Sequence, residues 1–164
     1  MRPLAPTLVA LALGLALGGC AHQGSLAGAP PAATTNRMTT QATRSVAESF
    51  YRQALEQKRV RAAFEAFASP EMIEHKADVA SGDREGIIRF LEGLMAQLPE
   101  ARWRMIRSVA EGDMAVIHAT MTPVPGAPPY TIADFFRIAD GRIVEHWDVV
   151  AAPPRDAPNP LPRF

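Results

Sequence analysis

Apolar residues recur at helical spacing through the first half of the folded region and alternate with polar ones through the second. Ser45-x-x-Glu48 reads as a capping box ahead of Val46, Ala47, Phe50, Tyr51, Ala54 and Leu55, a stripe of period 3.6. A second short helix carries Val60, Ala63, Phe64 and Phe67 and stops at Ser69-Pro70, where proline denies the helix an amide. Met72 to His75 form a brief extended piece. Asp83 caps a third helix whose broad stripe, from Ile87 and Ile88 through Phe90, Leu91, Leu94, Met95 and Leu98, ends at Pro99. Residues 103–110 alternate loosely, Glu111-Gly112-Asp113 turns, and 114–122 form a strand. A Pro/Gly loop then runs from Pro123 to Pro129. Met72, Met95, Met105, Met114 and Met121 read as core fillers.

The last strands form a hairpin. Two runs rich in β-branched and aromatic residues meet at Asp140-Gly141, a pair that tolerates the positive φ of a type I′ turn. With a tight turn, Ala139 faces Arg142, and counting back places Asp134 opposite Trp147, on the face of Phe136 and Ile138. An unpaired carboxylate on that apolar face costs on the order of 2–7 kcal/mol, so packing alone does not explain it. Helices followed by an antiparallel meander predict an α+β domain, with helices covering one face of a curved sheet and a pocket between them.

Composition narrows the function. The 164 residues carry 17 basic and 17 acidic side chains, enough for one small domain with tails and without the basic excess of a nucleic-acid binder. Lys58, Arg59 and Arg61, like Arg102, Arg104 and Arg107, read as solvated faces. Arg2, the apolar run from Leu4 to Leu17 and the sequence Leu17-Gly18-Gly19-Cys20 resemble a bacterial lipoprotein signal, which implies lipidation of Cys20 after removal of residues 1–19. Cys20 is the only cysteine, which excludes intramolecular disulfides. Ala21 after it resembles lipoproteins sent to the outer membrane, so the expected place is the cell envelope, lipid-anchored and facing the periplasm. Residues 20–42, short of large apolar side chains, read as a flexible tether. Residues 43–150 read as the domain, and 151–164, with five prolines, as a surface tail.

The order of elements, together with Ile73-Glu74-His75, Gly82-Asp83-Arg84-Glu85-Gly86, Val109 to Asp113, Ile117-His118 and the whole stretch from Asp134 to Asp148, resembles the SnoaL-like polyketide cyclase branch of the nuclear transport factor 2-like superfamily. The resemblance spans Val46 to Val149. It implies a cone-shaped α+β fold, often dimeric, whose pocket performs proton transfer without a cofactor. Asp134 matches the cyclases' general acid/base, and His118 falls on the neighbouring strand, where a pocket histidine is common. His75-Lys76-Ala77 departs from the family's frequent His-Asn-Pro.

Abstracting a proton beside a carbonyl needs a base of moderate pKa in a dry pocket and a donor for the developing enolate oxygen. Asp134 and His118 are the candidate catalytic pair, with His75, Trp147, Phe136 and Trp103 as candidate ligand contacts. The alternatives are that Asp134 is a satisfied structural partner of Trp147 or a histidine, and His118 a core histidine. Glu145, His146 and Asp148 do not make a metal site; His146 is expected on the outer face, with Phe135 and Val144, at a homodimer interface. Two readings stand: a lipid-anchored enzyme acting on a small apolar or carbonyl-containing molecule without metal or cofactor, and a non-catalytic envelope protein binding a small ligand or a partner.

Overall fold

The computed structural model describes residues 39–156, 158, 159, 161 and 164. The signal region 1–19, Cys20 and the expected tether up to residue 38 lie outside the described residues. Among the described residues, no helix is long and apolar enough to cross a membrane.

Helix α1 spans Thr40–Tyr51 and starts before Ser45, because Thr39 is its cap: the Thr39 hydroxyl accepts from the amide of Ala42 at 3.2 Å. Ser45 therefore lies inside the helix and donates to the carbonyl of Gln41 (2.9 Å), while Glu48 accepts from Ser108 (2.6 Å) and pairs with Arg52 (3.0 Å). The end of the expected tether is thus helical. Thr43, Ala47, Phe50 and Tyr51 form the buried stripe. A π-helical turn, Arg52–Glu56, follows directly. Helix α2 (Val60–Phe67) buries Val60, Ala63 and Phe64, and α3 (Arg84–Gln97) is capped by the Asp83 carboxylate, which accepts from Gly86 N at 2.7 Å. Both match their sequence patterns.

Five strands form one sheet in the order β1-β5-β4-β3-β2: β1 (Ala68–Glu74), β2 (Arg102–Glu111), β3 (Met114–Thr122), β4 (Tyr130–Ala139) and β5 (Arg142–Ala151). Strands β2 to β5 are the expected antiparallel meander. The expected all-antiparallel sheet is corrected at its edge, where β1 pairs parallel with β5 and makes the sheet mixed and open. No hairpin dictates the direction of β1, since α3 and three strands separate it from its partner. Pro70 is tolerated there because the strand is an edge. Helices cover one face of the sheet, with Phe50, Phe64 and Phe136 in edge-to-face contact at 4.8 and 5.5 Å. Beyond Ala151 the described residues form no regular element.

The β4–β5 hairpin turns at Asp140 and Gly141, whose φ angles of 49° and 77° fit the predicted turn. Ala139 faces Arg142 and Ile138 faces Ile143, but Arg137 then faces Glu145, leaving Val144 as a bulge. The Ile138 amide donates to the carbonyl of Asp113 in the β2–β3 turn at 2.8 Å, continuing the β3–β4 ladder past the Met114–Arg137 pair. One extra residue exchanges the faces of everything beyond it. Asp134 therefore lies opposite Asp148, not Trp147, and His146, opposite Phe136, points inward. The expected outward histidine and inward tryptophan are both reversed.

Candidate functional site

Between the helices and the inner face of the sheet lies a cavity of about 500 Å³. Most of its wall is apolar: Phe50, Phe64, Phe90, Leu94, Trp103 and Phe136 contribute large surfaces. Its polar lining comprises Tyr51, Lys76, Asp78, Tyr130, Asp134, His146 and Asp148.

Three neighbouring strands assemble the polar end. Parallel pairing sets Glu74 of β1 beside His146 of β5, and antiparallel pairing sets Phe136 of β4 across from it. The imidazole stacks on the Phe136 ring at 4.9 Å. Its Nδ1 is 3.0 and 2.8 Å from the two oxygens of Glu74, and its Nε2 is 3.3 Å from Asp134 Oδ1. All three residues are buried. Burial alone would lower the pKa of His146, but its hydrogen bonds with Asp134 and Glu74, reinforced by both negative charges, outweigh that and hold it at about 9. The ring is thus an imidazolium at neutral pH, with both N–H groups committed to carboxylates.

Asp134 is pushed toward its neutral form. Burial raises its pKa; the hydrogen bond and charge of His146 oppose the rise, and the facing charge of Asp148 adds to it. Oδ1 is held by His146, whereas Oδ2 is buried without a hydrogen-bond partner. Lys76 lies beside this group. Its amide donates to Glu74 (2.8 Å) and its ammonium to Asp148 (2.7 Å), with Asp78 at 3.3 Å. Burial would lower its pKa, but Asp148 and Asp78 raise it overall, so it stays cationic. A base with one free oxygen, oriented by a fixed cation in a largely apolar cavity, is suited to removing a proton from a weakly acidic carbon.

Of the residues singled out from sequence, Asp134, Phe136 and Trp103 line the cavity. His118 does not: it pairs with Ala133, one residue out of step with the Ile117–Asp134 pair, and so lies on the outer face of the sheet. His75 and Trp147 are likewise outside, stacked on each other at 4.8 Å, with His75 also 2.8 Å from Glu145. Glu74, His146, Lys76 and Tyr51 were not singled out for the pocket. His146 and Asp148 were recognisable as sharing a face; which face depended on the bulge. Among the described residues, no group of three or more His, Cys, Asp or Glu is arranged to hold a metal ion.

Known proteins with this architecture include TsrD from Streptomyces laurentii (21% identity, TM-score 0.56, covering 69% of this chain and 90% of that one). A candidate SnoaL-like polyketide cyclase from Jannaschia sp. CCS1 is 20% identical (TM-score 0.56, 68% and 86% covered). A candidate ketosteroid isomerase from Kribbella flavida is 19% identical (TM-score 0.56, 76% and 91% covered). These likenesses establish the nuclear transport factor 2-like fold. No curated protein sequence matches the chain. Residues 47–146, which include every strand-borne member of the Glu74–His146–Asp134 cluster, match the SnoaL-like domain, and the chain belongs to that family.

Proposed function

We propose that this protein binds a small carbonyl compound in its cavity and moves a proton on it by cofactor-free acid/base catalysis, in an isomerisation, dehydration or aldol-type reaction. The observation that carries this reading is Asp134 Oδ2, a buried carboxylate oxygen with no partner in the lining of a largely apolar cavity. His146 and Glu74 are positioning residues that fix the carboxylate's orientation. The candidate polyketide cyclase and candidate ketosteroid isomerase among the structural neighbours support the reaction class. One observation favours binding alone: Asp134 is also half of a buried ion pair with His146, which is what a purely structural carboxylate would show.

Exchange of the α-protons of 2-tetralone in D₂O, followed by NMR, tests the reading. Wild-type protein should accelerate exchange, and Asp134→Asn should reduce the acceleration by on the order of 10²–10⁴-fold while the fold persists. Exchange at the uncatalysed rate, or an Asn variant that loses stability with ligand binding unchanged, would establish the binding protein instead.

Two further parts of the proposal concern placement and assembly. Cys20 is the lipid attachment point of an envelope protein, supported by the Leu17-Gly18-Gly19-Cys20 motif. The domain forms a homodimer through the outer face of the sheet, supported by Phe135 there and by Val109 and Val149, which are 59% and 61% exposed.

A further inference from the structure

The inner face of the sheet carries two carboxyl groups side by side. Asp134 of β4 and Asp148 of β5 are register partners, and both line the cavity. Register partners have their Cβ atoms about 5 Å apart, so like charges there repel, and two such carboxyl groups compete for one proton. The cation beside Asp134 is shared, because His146 also serves Glu74. Asp148 has a cation of its own. The Lys76 ammonium donates to Asp148 Oδ2 at 2.7 Å, and both side chains are only 14% exposed; Asp78, its second partner at 3.3 Å, is largely open to water. The backbone fixes Lys76 from both sides: its amide donates to Glu74 (2.8 Å) and its carbonyl accepts from the Val79 amide (2.9 Å). From α3, the Phe90 ring meets the ammonium at 5.4 Å, a cation–π contact.

The groups facing Asp134 come from four places. Burial is the largest influence and raises its pKa; His146 of β5 opposes it by hydrogen bond and charge, Asp148 raises it and Lys76 lowers it. From α1 comes Tyr51, whose own pKa burial raises, and β1 contributes Glu74 behind the imidazole. Lys76 and Asp148 therefore act on Asp134 in opposite directions.

We propose that Lys76 is a positioning residue of the site, which offsets the Asp148 carboxylate facing Asp134 and so keeps Asp134 able to ionise and accept the ligand's proton. The inference rests on the acid/base reading above and names the residue that sets its pH range. Lys76 stands where the frequent His-Asn-Pro pattern has a neutral asparagine, so the cation is a feature of this chain. Being committed to Asp148 and Asp78, it is not free to bind an anionic group, and the cavity still suits a neutral, mainly apolar ligand.

The experiment follows the ionisation of Asp134 by ¹³C NMR of aspartate-labelled full chain, its signal identified by loss in Asp134→Asn. Exchange of the α-protons of 2-tetralone is measured over the same pH range. Lys76→Met should raise the pH at which Asp134 ionises by at least about one unit, and exchange below that pH should fall about tenfold per unit, the loss shrinking as pH rises past it. Lys76→Arg should restore both. Asp148→Asn alone should lower the titration, and Lys76→Met with Asp148→Asn, which removes both charges, should return it toward wild type. A purely structural ion pair would cost stability in Lys76→Met and leave the Asp134 titration in place, which overturns the proposal. If exchange depends on Asp134 and neither it nor the titration responds to Lys76→Met, the proposal falls while the acid/base reading stands. If the titration moves as expected but Asp134→Asn leaves exchange intact, the acid/base reading fails and the control of Asp134 by Lys76 survives. Should Lys76→Met not fold, Asp148→Asn decides: an Asp134 titration that it does not lower overturns the proposal.

Discussion

His146 is an imidazole whose environment has decided its charge. Its folded pKa of about 9 lies above the ordinary 6.5, so its protonation favours the folded state fully below pH 6.5 and stops doing so as pH rises through 9. Asp134, whose pKa is raised above the ordinary 3.8 chiefly by burial, favours folding in its protonated form, a contribution that begins to be lost as pH rises above 3.8. Thermal melts should therefore show stability declining from pH 6.5 to 9, and His146→Asn should flatten that decline. A wild-type melting temperature that rises across this interval would contradict the buried imidazolium. Asp134→Asn removes a buried charge with one unpaired oxygen and keeps an acceptor for His146, so its melting temperature should hold or increase. A loss of about 1–3 kcal/mol would instead mark Asp134 as structural.

The hairpin shows how one element places the chemistry. Its turn and its alternation were legible in the sequence, and so was the anomaly of Asp134 among apolar neighbours. The bulge at Val144 was not, because no residue type there announces it. Deleting Val144 would remove the unpaired residue while keeping Arg137 opposite Glu145 and Phe136 opposite His146, so the histidine stays inward and denaturant unfolding should register a change of no more than about 1 kcal/mol. A loss on the order of 3–5 kcal/mol, as expected if His146 turned outward and stranded the buried Glu74 and Asp134 carboxylates, would mean that the residues beyond the bulge do not keep their partners. Helices α2 and α3 were readable from their own stripes, whereas the start of α1 was not, since Ser45-x-x-Glu48 imitates a cap that Thr39 supplies.

For the molecule as a whole, the proposed dimer and anchor make separate predictions. Light scattering on the domain from Thr39 onward should give twice the chain mass, and Val149→Lys on the outer face should shift it to monomer; a wild-type monomer at high micromolar concentration removes the interface. Mass spectrometry of membrane-extracted protein should find Cys20 as the acylated N-terminus, and an intact Met1 would end that reading. What the chain's sequence determined by itself was the α+β class, most element boundaries, the SnoaL-like resemblance and the anomaly of Asp134 among apolar neighbours. Each of these follows from local periodicity, turn chemistry or a motif contained within one element. Tertiary structure alone decided the company Asp134 keeps. Glu74 and His146 lie 72 residues apart and meet only because β1 joins the sheet parallel to β5. His118 is placed in the pocket only by the resemblance, and the regular pairing of β3 with β4 sets it opposite Ala133 on the outer face. Trp147 is placed there by counting along the hairpin, and counting yields a face only while the register is regular, which a single unpaired residue is enough to reverse.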